Sequence, residues 1–131
     1  MEEVSTQTGA IPTSGLSLQY LDPDLRECIA NCIECGTICL ATVPHCLDMG
    51  GPHAEPNHIR LLLDCAEICQ TSANYMTRRS ELHARTCALC AEICDHCAGD
   101  CERLADGDIQ MEACASACRR CAESCRRMAA S

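Results

Sequence analysis

Small and apolar side chains recur between residues 23 and 129 at alternating steps of three and four. Four segments carry this step. The first holds Cys28, Cys32, Cys35 and Cys39, and the third Cys87, Cys90, Cys94, Cys97 and Cys101. The fourth holds Cys114, Cys118, Cys121 and Cys125. The second has Cys65 and Cys69, and its line extends through His58, Leu62, Ser72 and Met76. Steps of three and four mark the inward stripe of a helix in a bundle. No segment alternates with period two, so no strand is predicted.

Punctuation residues divide the pattern. Asp22 followed by Pro23 is a helix start, with an acidic cap and proline in the first turn. The first helix is expected over 23–43, stopped by Pro44. Gly50, Gly51 and Pro52 break the chain, and this places His45, Cys46, Met49 and His53 in a long loop. Pro56 opens a second helix that ends near Arg78 and Arg79, cations that suit the negative helix end. Ser80 is the expected cap of a third helix over 81–105. Asp106 and Gly107 make a turn, and Asp108 caps a fourth helix over 109–129. Residues 1–21, rich in Ser, Thr and Gly, read as a flexible arm, and 22–131 as one domain. Four helices of ~20 residues with mostly short turns define an all-α fold. The expected architecture is an antiparallel up-down-up-down four-helix bundle with a Cys-lined core, ~30 Å long.

Composition makes that core unusual. Leu, Ile, Val and Phe account for 22 of 131 residues, below the level at which a charged chain ordinarily folds. Sixteen residues are Cys, so the thiols must be the core or hold it together. The spans 28–39, 87–101 and 114–125 contain 13 inward positions, and all are Cys. Selection for size alone would mix in Ala, Val and Leu. A disulfide scaffold fits poorly: helix neighbours stand ~5–6 Å apart at Cβ, against ~3.8 Å in a disulfide. Four Cys-x-x-Cys pairs inside helices, with no βαβ pattern nearby, read as periodicity and not redox catalysis. No Cys precedes Pro, unlike the ferredoxin run that ligates iron–sulfur clusters.

Metal binding remains. Zinc takes tetrahedral thiolate sites, so a zinc or other thiophilic-metal sink of metallothionein type is the alternative. Cu(I) is soft, selects thiolate and accepts two or three ligands. Seven Cys-x-x-x-Cys pairs could each clip a Cu(I) ion: 28 with 32, 35 with 39, 65 with 69, 90 with 94, 97 with 101, 114 with 118, and 121 with 125. A sensor or chaperone needs one or two such sites, whereas seven indicate storage. A bis-thiolate Cu(I) site carries one net negative charge and is costly to bury. Shared thiolates would cancel it, so bridged clusters loaded on the order of one copper per Cys are expected.

The repeats, with the segments LLLDCAEICQTSANYM and CALCAEICDHCAGDCE, resemble the bacterial four-helix-bundle copper storage proteins over residues 22–129. The acidic start, with no basic or long apolar leader, resembles the cytosolic branch. The resemblance implies a lumen filled with multiple Cu(I) ions and assembly into a tetramer. It also implies an entrance at one end, where His or Met supplements the thiols. The turn RLADGDIQMEAC contains no His, so Met111 or His58 would serve there. The bundle topology gathers Cys39, His45, Cys46, His58, Cys101 and Met111 at one end, the favoured entrance. Leu25, Met76, His83 and Met128 gather at the other. His96 falls beside the inward stripe and is expected in solvent.

Three successive leucines, Leu61, Leu62 and Leu63, cannot all face one core. Leu62 is expected inward, and Leu63 with Ile59 outward, which points to an oligomer face. The net charge of −9 and the absence of Lys argue against a nucleic-acid partner. No apolar run approaches a membrane span or a signal peptide. A cytoplasmic protein with reduced thiols and no enzymatic activity is expected.

Overall fold

The computed structural model describes residues 21–130. Helix α1 spans Pro23–Met49, α2 spans Pro56–Thr77, α3 spans His83–Ala105 and α4 spans Ile109–Ala129, with a 3-10 turn at Gly51–Ala54 after α1. No strand occurs among the described residues. Each helix packs on its neighbours in sequence, and α4 closes the ring against α1. The result is the four-helix bundle that the three–four spacing predicts.

The ends follow local chemistry. The Asp22 carboxylate accepts from the Asp24 amide at 3.0 Å, and Asp108 accepts from the Met111 amide at 3.0 Å. Each satisfies an otherwise unpaired first-turn donor. Gly50 ends α1 at φ 71° and returns its N–H to the Cys46 carbonyl. Asp106 at φ 42° and Gly107 at φ 85° turn the chain from α3 into α4. Helix α3 begins two residues later than expected. The Ser80 hydroxyl accepts from the Leu82 amide and holds 80–82 as a turn.

One boundary is corrected. Pro44 does not stop α1, which continues through it to Met49. Proline removes one amide donor and leaves the carbonyl four residues earlier without its partner. Here Pro44 is exposed, and Leu40, the residue four before it, is 58% exposed. Water can therefore reach the freed carbonyl. The longer helix moves Cys46 out of the expected loop and onto the inward stripe, seven residues beyond Cys39 and fully buried.

The core is a column of sulfur lined with alanine. All sixteen cysteines are buried and unpaired by disulfides. Leu62, Met76, Met111 and His58 are the largest fully buried side chains, and they sit towards the ends of the second and fourth stripes. Ala91, Ala98, Ala115, Ala117 and Ala122 fill the seams between helices. Gly36 brings α1 onto α2: a Cβ there would meet the Ala66 carbonyl oxygen and the Cys69 Cβ, each at 3.3 Å. Ion pairs such as Arg119 to Glu102 and Arg120 to Glu34 tie α4 to α3 and α1 on the outside. They are exposed pairs, and such pairs contribute little stability each. Of the arm expected over 1–21, residues 1–20 lie outside the described residues, and Leu21 is buried against the core.

Candidate metal centre

Inward positions of all four helices deliver their sulfurs to one axis. Across the lumen, the sulfurs of Cys32 and Cys125 are 3.5 Å apart, Cys32 and Cys121 3.6 Å, and Cys35 and Cys118 3.6 Å. Cys65 and Cys69 each lie 3.7 Å from Cys94. Two of the seven intrahelical pairs are also in direct contact, Cys35 with Cys39 at 4.0 Å and Cys90 with Cys94 at 3.8 Å. Four thiolates around one ion at ~2.3 Å stand ~3.8 Å apart, whereas a linear pair needs ~4.6 Å. The sulfurs therefore already sit near the spacing of three- and four-coordinate sites. Those two intrahelical clips are closer than a linear pair needs, whereas Cys65 with Cys69, Cys114 with Cys118 and Cys121 with Cys125 lie within 4.8 Å.

The sulfurs form four-thiol groups whose members lie within 4.8 Å of one another. Five of these groups follow one another along the axis. Cys39, Cys97, Cys114 and Cys118 share Cys39 and Cys118 with the next group, which adds Cys35 and Cys65. That group shares Cys35 and Cys65 with one that adds Cys69 and Cys94. These last two are shared with a group adding Cys90 and Cys121, and those in turn with one adding Cys32 and Cys125. Each group thus shares an edge of two sulfurs with its neighbour. Cys28 extends the column beyond Cys125, at 3.6 Å. Cys87 and Cys101 are buried on the same stripe of α3.

Ionising many thiols in one buried column is unfavourable, because burial and like charges both oppose it. Burial, followed by the nearby Cys114 and Asp108, pushes the Cys46 thiol up to about 11. For Cys101 the hydrogen-bonding Cys114 and Cys97 thiols act first and burial adds to them, again upward. A cation supplies the missing compensation, so metal binding here is an exchange of protons for metal.

One end differs in chemistry. The Cys46 sulfur lies 3.3 Å from His58 Nε2, 3.5 Å from the Met111 sulfur and 3.9 Å from His53 Nδ1. His58 is 1% exposed, Met111 is fully buried and His53 is half-buried. The sequence places Cys46, His58 and Met111 at this end, and the structure brings all three together. His45 is also at this end, but its Nε2 is engaged by Asp108 at 2.8 Å. Asp100, which the sequence reading missed, accepts from His58 Nδ1 at 2.7 Å. Its only sequence signal is an arginine three residues on, the spacing of a helical ion pair. The opposite end is closed by buried Met76 and Met128, with His83 Nδ1 donating to the Ser80 carbonyl at 2.9 Å. His96 is exposed, as expected.

A helical bundle that encloses a column of edge-sharing thiols, with a mixed sulfur and imidazole cluster at one end, is a container for soft metal ions. The chain belongs to the copper storage protein family, whose model matches residues 22–130. A solved protein of Nitrosospira multiformis is 51% identical, with a TM-score of 0.77, covering 82% of this chain and 95% of its own. A Bacillus subtilis copper storage protein solved with Cu(I) bound is 39% identical, with a TM-score of 0.74, over 81% of this chain and 98% of its own. A cytosolic copper storage protein of Streptomyces lividans, solved with five coppers, is 28% identical, with a TM-score of 0.72, over 82% and 93%.

Proposed function

We propose that this protein stores and buffers copper in the cytoplasm, holding many Cu(I) ions in its lumen, and that it is not an enzyme. The carrying observation is the run of four-thiol groups that share sulfurs in pairs. Shared thiolates let each added Cu(I) cancel one thiolate charge, so the column fills towards neutrality at a loading near one copper per Cys. All sixteen cysteines act as ligands, with His58 and Met111 completing the entrance at the Cys46 end. The cytoplasmic reading is supported by the Streptomyces relative, described as cytosolic. Among the described residues, no helix is long and apolar enough to cross a membrane.

The protein works as a homo-oligomer, a tetramer. Support comes from Ile33, Leu40 and Leu47, exposed on one face of α1 at heptad spacing. Leu63 of α2 and Leu40 flank a shallow groove over Gly36, Thr37 and Ala66. This is an unusually apolar strip on a chain of low aliphatic content.

Anaerobic titration with Cu(I), followed by thiolate-to-copper absorption in the ultraviolet, tests the reading. Saturation near the thiol count is expected, and saturation at a few ions would sink it. Metal analysis of protein from copper-fed cells, paired with a thiol count, addresses the zinc alternative. Zinc with intact thiols would favour the metallothionein-type sink. The copper found in the Bacillus and Streptomyces relatives favours copper.

A further inference from the structure

Asp100 lies one residue before Cys101 and is 22% exposed. Its two carboxylate oxygens are used separately. Arg103 donates to Oδ1 from Nη2 at 2.8 Å and from Nε at 3.3 Å. His58 donates to Oδ2 from Nδ1 at 2.7 Å. Paired with the Arg103 guanidinium through two donors, the Asp100 side chain is a carboxylate. An ionised carboxylate only accepts, so the proton between them sits on His58 Nδ1. Nε2 of a neutral imidazole is then a bare lone pair, and it points at the Cys46 sulfur 3.3 Å away.

We propose that Asp100 is a positioning residue for copper uptake: it fixes the tautomer and ring orientation with which His58 presents Nε2 to a Cu(I) ion arriving at Cys46. The requirement comes from charge. One thiolate with neutral imidazole and thioether donors makes a Cu(I) site of zero net charge. A single ion can therefore rest among Cys46, His58 and Met111 before any shared cluster exists. His53, half-buried and 3.9 Å from the same sulfur, is the outermost donor. With the opposite tautomer, His58 would aim an N–H at the sulfur and exclude the ion. Arg103 keeps the carboxylate from rotating, so the line Arg103, Asp100, His58, Cys46 is one support running from the surface to the lumen. Carboxylate partners of ligating histidines act this way at other metal sites.

The inference rests on the Cys46 end being the entrance, and the experiment separates the two. Full-length apo protein is mixed anaerobically with a chelator-buffered Cu(I) donor, and the initial loading phase is followed by ultraviolet absorption. Asp100→Ala should slow that phase about 10-fold, the lower end for loss of such a partner. Asp100→Asn should fall between, since its amide oxygen still accepts from Nδ1. Glu102→Ala, which removes a surface ion pair of the same helix, should load like the parent. His58→Ala should be slow, and His58→Ala with Asp100→Ala no slower than His58→Ala alone. Imidazole nitrogen shifts measured by NMR should show the Nδ1–H tautomer in the parent and its loss in Asp100→Ala. Normal loading by Asp100→Ala beside slow His58→Ala overturns the positioning role, as does a double variant slowed by the product of the two effects. Normal loading by His58→Ala overturns the entrance itself. If Asp100→Ala fails to fold by circular dichroism, the Asp100→Asn rate and tautomer decide: parent-like loading together with an altered tautomer overturns the role.

Discussion

Cys39 on α1 and Cys118 on α4 face each other with sulfurs 3.6 Å apart, and the pair is common to two adjacent four-thiol groups. A sulfur in that position must bridge. Removing it should therefore disturb two sites, whereas Cys46 stands outside the five edge-sharing groups.

Cys118→Ser is accordingly expected to weaken binding at two sites and Cys46→Ser at one, beyond the loss of about one ion that charge balance sets for either variant. Anaerobic competition against a chromophoric Cu(I) chelator reads the number of weakened ions. Equal numbers for the two variants would mean independent sites and no bridging.

Gly36 is constrained by packing more than by backbone freedom. Its missing side chain lets α1 approach the Ala66 carbonyl oxygen and the Cys69 Cβ. Gly36→Ala sets a helix gain of roughly 1 kcal/mol against a tight contact, and its effect should be small. Gly36→Val adds the Cβ and two methyl groups where backbone cannot yield, at a cost of about 1–3 kcal/mol. Thermal unfolding of the apo protein distinguishes them, and a Val variant as stable as the parent would show that the helices can part.

The fold was legible because one residue type marks 13 inward positions on three of the helices, and every cysteine but Cys46 lies where the three–four step put it. His58, Leu62, Ser72 and Met76 are buried on the second helix for the same reason. What failed was local. Pro44 reads as a stop because sequence gives its missing donor but not the side of the helix on which it falls. The cluster at the Cys46 end was legible in part. Cys46, His58 and Met111 carry ligand chemistry in their side chains. Asp100 was not visible, because its partner comes from another helix 42 residues away and only packing brings the two together. His45 and His53 look equivalent in sequence. The carboxylate of Asp108 takes the first and leaves the second near Cys46.

The α1–α2 surface should carry assembly. Leu63 is 40% exposed and Leu40 58% exposed on opposite walls of one shallow groove. Burying a leucine against a second copy is worth roughly 1.5–3 kcal/mol, and each interface would use it symmetrically. The parent is expected to sediment as the proposed tetramer, and Leu40→Asp with Leu63→Asp as a monomer, with copper capacity per chain retained. An unchanged sedimentation coefficient would place the interface elsewhere.

Alkaline conditions should weaken the empty protein and spare the loaded one. Cys46 in the folded apo chain is held up at about 11, by burial first and then by its neighbours. In the unfolded chain a thiol titrates near about 8.5. Below that value both states keep the proton, and the contribution of this group is fully present. Between the two values the folded state binds a proton that the unfolded state has released, so stability falls as pH rises. The unfolding temperature of apo protein should therefore drop from pH 8 to pH 11, and the drop should be shallower in Cys46→Ala. With Cu(I) bound, the thiols are already ionised and ligated, and no proton is left to lose. The loaded protein should keep a nearly constant unfolding temperature across the same window, raised by the free energy of the bound ions. An apo protein as insensitive as the loaded one would mean that Cys46 is ionised before copper arrives.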